Sequence, residues 1–303
     1  MPADPVTLAS SPDQSSVSLA RSGERPRDNE IDLFGITHRG HVRPDNQDHF
    51  LLAMVHPQIE VMGTSLPADY SLPLRGTRLG TLLLVADGVG GAVDGAEASR
   101  VATQAVAEYV ASSFRSYHAT GAGRDGEFLE SLRDAALQAH DKVRAESLVN
   151  GHGMMATTLT LGIGVWPWLY VVQVGDSRAY IYTRGALQQI TRDQTLAQDL
   201  VDCGAIPATE KEASPLNHIL VSAIGSEEAI PVVSRVDVSE RGCVLIFCSD
   251  GLTKHVTDDE IAAHCVAMRG AEQLSRDLLQ LALDRGGSDN ITIVVARAPL
   301  TRE

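Results

Sequence analysis

The sequence predicts an α+β fold of antiparallel β-sheets with helices on their outer faces, and three observations carry the prediction. Ten short, β-branched, glycine-flanked runs read as strands. Several of them follow one another without a helix, as in the stretch LYVVQVGDSRAYIYT. The main segments with helical spacing come as two adjacent pairs, one after the third strand and one before the last. Strict strand–helix alternation, the mark of a doubly wound parallel sheet, is missing.

Taken in order, residues 1–28 are rich in Ser, Pro, Asp and Arg without apolar periodicity, the composition of a disordered tail. A domain is expected over residues 29–299. Strands are expected at IDLFGIT, HFLLAMVH, LGTLLLVAD, ATTLTLGIGV, LYVVQVG, SRAYIYT, HILVSAI, PVVSRVDV, CVLIFCS and NITIVVAR. The first helix is marked by Ala98, Val101, Ala102, Ala105 and Tyr109, and the second by Leu129, Leu132, Ala136, Ala139 and Val143. The third starts at the capping box Thr257-Asp-Asp-Glu260, where hydroxyl and carboxylate satisfy reciprocal orphan amides. The fourth, AEQLSRDLLQLALDR, stops at Gly286-Gly287. Residues 191–217 are polar and broken by Gly204, Pro207 and Pro215, so a short helix followed by a flap is expected there. Trp166 and Trp168 flank Pro167 at a hairpin tip, where packing against a helix is expected.

Composition narrows the function. The 303 residues carry 25 Lys+Arg against 39 Asp+Glu, a net charge of −14, and are 44% hydrophobic. That is a globular chain without the clustered basic residues that a nucleic-acid backbone demands. Metal cations and protein partners fit better. Cys203, Cys243, Cys248 and Cys265 form neither a C-x-x-C pair nor a disulfide framework and read as reduced core residues. The opening residues lack a secretory pattern, and the longest apolar stretch, LTLGIGVWPWLYVVQVG, is too broken to span a bilayer. A cytoplasmic protein is expected.

Four aspartates share one context, each where an apolar strand meets a glycine or a turn: Asp87 in LLLVADGVGG, Asp176 in VVQVGDSRAY, Asp250 in LIFCSDGLT and Asp289 in GGSDNITIVV. One such Asp is an ordinary turn residue. Four can converge at a common sheet edge, and such a cluster repels itself unless cations fill it. Oxygen ligands without a His or Cys set suggest Mg²⁺ or Mn²⁺. Gly88-Val-Gly-Gly91 looks superficially like a dinucleotide loop, but Val93 stands where the last glycine of G-x-G-x-x-G belongs. A metal-binding turn with a carbonyl ligand from Gly88 accounts for it better. Upstream, Arg43 in GHVRPDNQD could hold phosphate oxygens with its planar fork. Metals and a phosphate-holding Arg point to hydrolytic phosphoryl transfer.

On these motifs the chain resembles the metal-dependent protein Ser/Thr phosphatases of the protein phosphatase 2C (PPM) family, bacterial type. The ordered set is GHVRPDNQD, ADGVGG, GMMATT, VGDSRAY, SDGLT and SDNIT. The resemblance implies a four-layer αββα sandwich, two central antiparallel sheets flanked by helix pairs. It implies hydrolysis of phosphoserine and phosphothreonine in proteins by a metal-bridged hydroxide, antagonising a Ser/Thr kinase. Two Mn²⁺ or Mg²⁺ ions are implied, with Asp87, Gly88, Asp250 and Asp289 as ligands, a weaker third ion at Asp176, Arg43 on the phosphate and Asp48 in the outer shell.

The chain departs from the family pattern at four places. Asn46-Gln47-Asp48 replaces the usual N-E-D, His38 stands where Asp is frequent, Lys254 stands where some relatives carry an acidic third-metal ligand, and Val89 replaces the His of animal relatives. His38 is then a candidate proton donor to the leaving group. Two rival readings follow: a phosphatase-fold module that binds phosphoproteins with a weakened site, and a nucleotide-binding oxidoreductase built on Gly88 to Gly91. Arg178 is expected to pair with a carboxylate, and Thr157 and Thr158 to serve backbone packing.

Overall fold

A computed structural model describes residues 24–58, 75–90, 92–119, 125–150 and 155–300. Twelve strands and six α-helices occur among them: β1 (Asp32–His38), β2 (His49–Val55), β3 (Gly80–Ala86), β4 (Gly88–Val89), α1 (Ala92–Ala119), α2 (Asp125–Asn150), β5 (Ala156–Thr157), β6 (Leu159–Val165), β7 (Trp168–Val174), β8 (Arg178–Thr183), β9 (Ala186–Gln189), α3 (Leu196–Asp202), β10 (Val232–Asp237), β11 (Val244–Cys248), α4 (Asp250–Thr253), α5 (Asp258–Ala267), α6 (Ala271–Asp284) and β12 (Ile291–Arg297). One sheet has the order β1-β12-β11-β8-β9 and the other β10-β7-β6-β3-β2, with every neighbouring pair antiparallel.

Because side chains alternate along a strand, each sheet has two faces to bury. Leu82 and Leu84 of β3 and Leu161 of β6 pack with Ala98, Ala102 and Val106 of α1 and Leu132 and Ala136 of α2. The intervening Leu83 and Val85 turn the other way, against Phe247, Val294 and Ala296 of the second sheet. That sheet's outer face, with Ile246, Ile293 and Val295, packs on Ile261 of α5 and on Leu274 and Leu278 of α6. The result is the expected αββα sandwich, with an apolar layer between the sheets. Phe247 crosses that layer so closely that a Cβ on Gly162 would come within 2.4 Å of its ring.

Most expected elements are present, including the capping box, in which Thr257 accepts from the Glu260 amide and Glu260 accepts from the Thr257 amide. HILVSAI is a correction, since it is no strand. Its backbone makes only single bridges, Leu220 to Thr195 and Ile224 to Thr157, because it bends between two partners instead of following one. Strand β9 is an addition whose sequence, Ala-Leu-Gln-Gln, is not β-rich. At the hairpin tip Trp168 lies under the Arg235 guanidinium, 4.0 Å from the ring centroid, and Arg235 in turn pairs with Asp125 of α2. Of the expected tail, residues 1–23 lie outside the described residues. Pro26 is buried, and Arg78 donates to its carbonyl oxygen and to Asp28.

Candidate metal centre

Strand register brings the sequence-predicted residues to one edge. In one sheet His49 pairs with Ala86, Val85 with Thr160 and Leu159 with Val174. Asp48, Asp87, Thr158 and Asp176 therefore leave the sheet at the same end. In the other sheet His38 pairs with Ile291, and Cys248 with both Ile293 and Arg178. Arg43, Asp250 and Asp289 follow from that end. The antiparallel pairing thus collects residues 246 positions apart, and Arg43 grips Asp289 with Nε at 2.7 Å from Oδ1 and Nη2 at 2.9 Å from Oδ2.

Of the aspartates that converge at this edge, Asp48 is the most buried, 4% exposed. Its Oδ2 accepts from the Ser249 and Thr292 hydroxyls, each at 2.7 Å, while its Oδ1 is buried without a hydrogen-bond partner among the described residues. Burial raises its pKa to about 6 against the pull of those hydroxyls. Asp87 is pushed well above the usual carboxylate range by burial and then by Asp48, Asp250, Asp176 and Asp289. Burial, followed by the charges of Asp250 and Asp193, lifts Asp176 to about 8. Asp289 differs: burial is outweighed by hydrogen bonds from Arg43 and Lys254, which hold its carboxyl below the usual range. Lys254 lies 2.7 Å from Asp250 Oδ2 and 2.6 Å from Asp289 Oδ2.

The donor set fits hard divalent cations. It consists of carboxylate oxygens, one of them an orphaned buried atom, and burial, with the repulsion of neighbouring carboxylates behind it, lifts the pKa of Asp48, Asp87 and Asp176. Among the described residues, no three His, Cys, Asp or Glu side chains stand in ready-made ligand geometry. The two basic side chains account for Asp289 and Asp250.

Several residues that build the site were given no part in it from the sequence. Thr157 and Thr158, expected only to support packing, grip Asp87: the Thr157 hydroxyl donates to its carbonyl at 2.8 Å, and its amide donates to the Thr158 hydroxyl at 3.0 Å. Asn290 joins two motifs, accepting from the Gln47 amide at 2.8 Å and donating to the carbonyls of Arg39 and Asp45 at 2.9 Å. His255 accepts from the Ser288 amide at 2.9 Å and steadies the turn before Asp289. The signal for Thr157, Thr158 and Asn290 was their place inside the motifs GMMATT and SDNIT, and for His255 its position just after SDGLT.

Gly88 is required for close approach, since an added Cβ would lie 2.3 Å from the Gly95 carbonyl oxygen of α1 and 2.7 Å from that of Gln47. Gly251 is tighter still, with Asn290 O at 1.9 Å from such an atom. Gln47, the altered member of N-E-D, accepts at its carbonyl from the Ser99 hydroxyl of α1 at 2.5 Å. The candidate donor His38 serves its own turn, where its Nδ1 accepts from the Gly40 amide at 3.0 Å. No hydrogen bond or ion pair joins it to a carboxylate among the described residues.

The flap sits beside this edge. Asp193, 3% exposed, receives Arg178 Nη2 and Lys211 Nζ, each at 2.7 Å, and Arg178 also reaches Glu212 at 3.1 Å. Burial opposes the charge of Asp193, but Arg178 and Lys211 hold its pKa down. A cavity of about 540 Å³ lies between flap and site, lined by Asp176, Arg178, Asn217, Asp250, Lys254 and Asp258 among others.

A family model described as Protein phosphatase 2C matches residues 66–284. The serine/threonine protein phosphatase PstP of Mycobacterium tuberculosis is 35% identical over 220 residues, covering 71% of this chain and 40% of that protein. This chain thus spans less than half the length of that relative. The serine/threonine phosphatase stp of Listeria monocytogenes is 29% identical over 225 residues, 73% of this chain and 86% of that protein. A crystal structure of the M. tuberculosis phosphatase PstP/Ppp superposes with a TM-score of 0.70 at 28% identity, covering 89% of this chain and 99% of that one. The PstP catalytic domain in complex with two manganese ions gives a TM-score of 0.68 at 29% identity, covering 89% and 98%.

Proposed function

This chain belongs to the protein phosphatase 2C family, and we propose that it hydrolyses phosphoserine and phosphothreonine in proteins with two bound Mn²⁺ or Mg²⁺ ions. The observation that carries the reading is the convergence of Asp48, Asp87, Asp176, Asp250 and Asp289 with Arg43 at one sandwich edge. Asp87, the Gly88 carbonyl, Asp250 and Asp289 would hold the two ions, with Asp176 available to a weaker third. When bound, the ions supply concentrated positive charge for activating water and steadying the phosphate.

The remaining roles belong to the protein. Asp48 stays out of solvent and, through Ser249 and Thr292, fixes the approach of one sheet to the other at the site. Arg43 is half-exposed at the rim, 53% by side chain, and its fork can pass from Asp289 to two phosphate oxygens. Thr157 and Thr158 hold the Asp87 backbone, through its carbonyl and its amide, at the edge of the site. Residues 29–299 act as one catalytic domain, with the flap over 191–217 bordering the phosphoprotein.

The partner is a phosphoprotein and the opposing enzyme a Ser/Thr kinase, in a signalling role in the cytoplasm. Of the four cysteines, Cys243, Cys248 and Cys265 are buried as expected, whereas Cys203, just past the end of α3, is exposed and is no core residue. No described helix is long and apolar enough to cross a membrane.

The test is hydrolysis of a phosphothreonine peptide with Mn²⁺, with and without chelator, by the intact chain, Asp87→Asn and Arg43→Ala. Metal-dependent turnover that is lost in Asp87→Asn, with Arg43→Ala impaired chiefly in KM, is expected. Folded protein without turnover at any Mn²⁺ or Mg²⁺ concentration would overturn the reading in favour of a phosphoprotein-binding module.

A further inference from the structure

The sequence holds only three lysines, Lys142, Lys211 and Lys254, and Lys254 stands inside the acidic site. Its place is set locally. The Lys254 amide donates to the Asp250 carbonyl at 2.8 Å to close α4, so the two side chains lie one turn apart on the same face. From there the ammonium bridges Asp250 Oδ2 and Asp289 Oδ2 at 2.7 and 2.6 Å. Its side chain is 24% exposed, and although burial disfavours its charge, Asp250 and Asp289 raise its pKa. Lys254 is thus a fixed positive charge on two oxygens that the phosphatase reading assigns to a metal ion.

An ammonium and a hard divalent ion make the same demand on a carboxylate, and at such short range they repel each other. Both cannot be seated on the same two atoms. We propose that Lys254 and a divalent metal ion compete for Asp250 Oδ2 and Asp289 Oδ2, so that Lys254 sets the metal affinity of this site and leaves both oxygens when the ion binds. The proposal rests on the phosphatase reading of the site. The cavity in front of Lys254 leaves it somewhere to go, because Asp176 and Asp258 line the same space and can receive the displaced ammonium.

The effect is specific to this side chain. Arg43 also holds Asp289, but from the exposed rim and without touching Asp250. Metal loading at the two oxygens therefore has to move Lys254 from both, whereas Arg43 meets the ion only at Asp289 Oδ2 and keeps Asp289 Oδ1 through its Nε. A metal requirement higher than the carboxylate count suggests is the consequence.

The experiment uses the intact chain with ¹⁵Nζ- and ¹³Cε-labelled lysine, whose three side-chain signals can be followed by NMR while diamagnetic Mg²⁺ is added and its binding measured by calorimetry. Lys254→Arg removes one signal and so assigns it. The expected result is that the Lys254 signal alone moves to the position of a solvated ammonium in step with Mg²⁺ saturation. In calorimetry Lys254→Met should bind Mn²⁺ about tenfold more tightly or better, and Lys254→Arg within about threefold of the intact chain. Saturation with an unmoved Lys254 signal, or a folded Lys254→Met chain that binds no more tightly, would overturn the competition and leave the phosphatase reading standing. Absence of Mn²⁺ and Mg²⁺ binding in both the intact chain and Lys254→Met would overturn the two together. Should Lys254→Met not fold, the NMR titration of the intact chain decides.

Discussion

Ser249 donates its hydroxyl to Oδ2 of Asp48 at 2.7 Å, from the sheet that carries β11 to the one that carries β2. Thr292 of β12 does the same at 2.7 Å. The most buried acid of the site is therefore held from the opposite layer, and the charge it bears depends on donors more than 200 positions away.

Removing one donor should weaken the ionised form. A hydrogen bond to a charged group is worth about 1.5–3 kcal/mol, roughly one to two units of pKa. Thr292→Val should therefore raise the Asp48 pKa further above its value of about 6 and weaken Mn²⁺ binding at pH 6, where protons compete. Thr292→Ser keeps the donor and should behave as the intact chain. Calorimetric Mn²⁺ affinity at pH 6 and pH 8 checks this, with the variants converging at the higher pH.

Asp176 predicts a pH dependence of stability. Its carboxyl keeps its proton up to about pH 8 in the fold but loses it near 3.8 when free, so the folded chain binds more protons across that window and stability falls as pH rises. His49, His140 and His255, whose pKa values burial lowers from 6.5, act in the opposite direction at more acidic pH. Between pH 6.5 and 8 the carboxyls are left to dominate. In chelator the melting temperature should fall over that interval, less so in Asp176→Asn, and Mn²⁺ should flatten the fall.

Gly251 should not tolerate a side chain. A methyl group there meets the Asn290 carbonyl at 1.9 Å, and backbone must move. Overpacking of this kind costs about 1–3 kcal/mol. Gly251→Ala should lower the melting temperature by several degrees and weaken Mn²⁺ binding, because Asp250 and Asp289 flank the contact.

The flap root should loosen when Arg178 is lost. Truncating one partner of a buried hydrogen-bonded charge pair costs about 2–5 kcal/mol, and Lys211, which stays on Asp193, places Arg178→Met toward the low end. Limited proteolysis should then cut between residues 203 and 215 faster than in the intact chain, while Arg178→Lys should recover part of the protection.

Much of the fold was legible because strand signals are local. LLLVAD and LIFCSD each declare a buried strand that ends in an acid, and antiparallel pairing turns those ends into one edge. The hydroxyl shell was not legible. Thr158, Ser249 and Thr292 look like ordinary β-compatible residues, and their meaning lies in acceptors that only the folded register supplies. HILVSAI misled for a related reason, since alternation signals an extended backbone but not a continuous neighbour. Lys254 was visible as a departure from the family pattern, yet only its two short contacts show which oxygens it occupies.

The position of β12 has a consequence for synthesis. This strand lies inside its sheet, between β1 and β11, and the Asp289-Asn290 pair sits at its start. A nascent chain emerges N-terminus first, so β1 and β11 must wait without their shared neighbour until Ile291–Arg297 has been made. Asp48 waits for its Thr292 donor over the same interval, and Gln47 for Asn290. A chain in which β12 has not yet been made thus carries an incomplete acidic edge, without the strand that places Asp289 and without the Thr292 donor to Asp48.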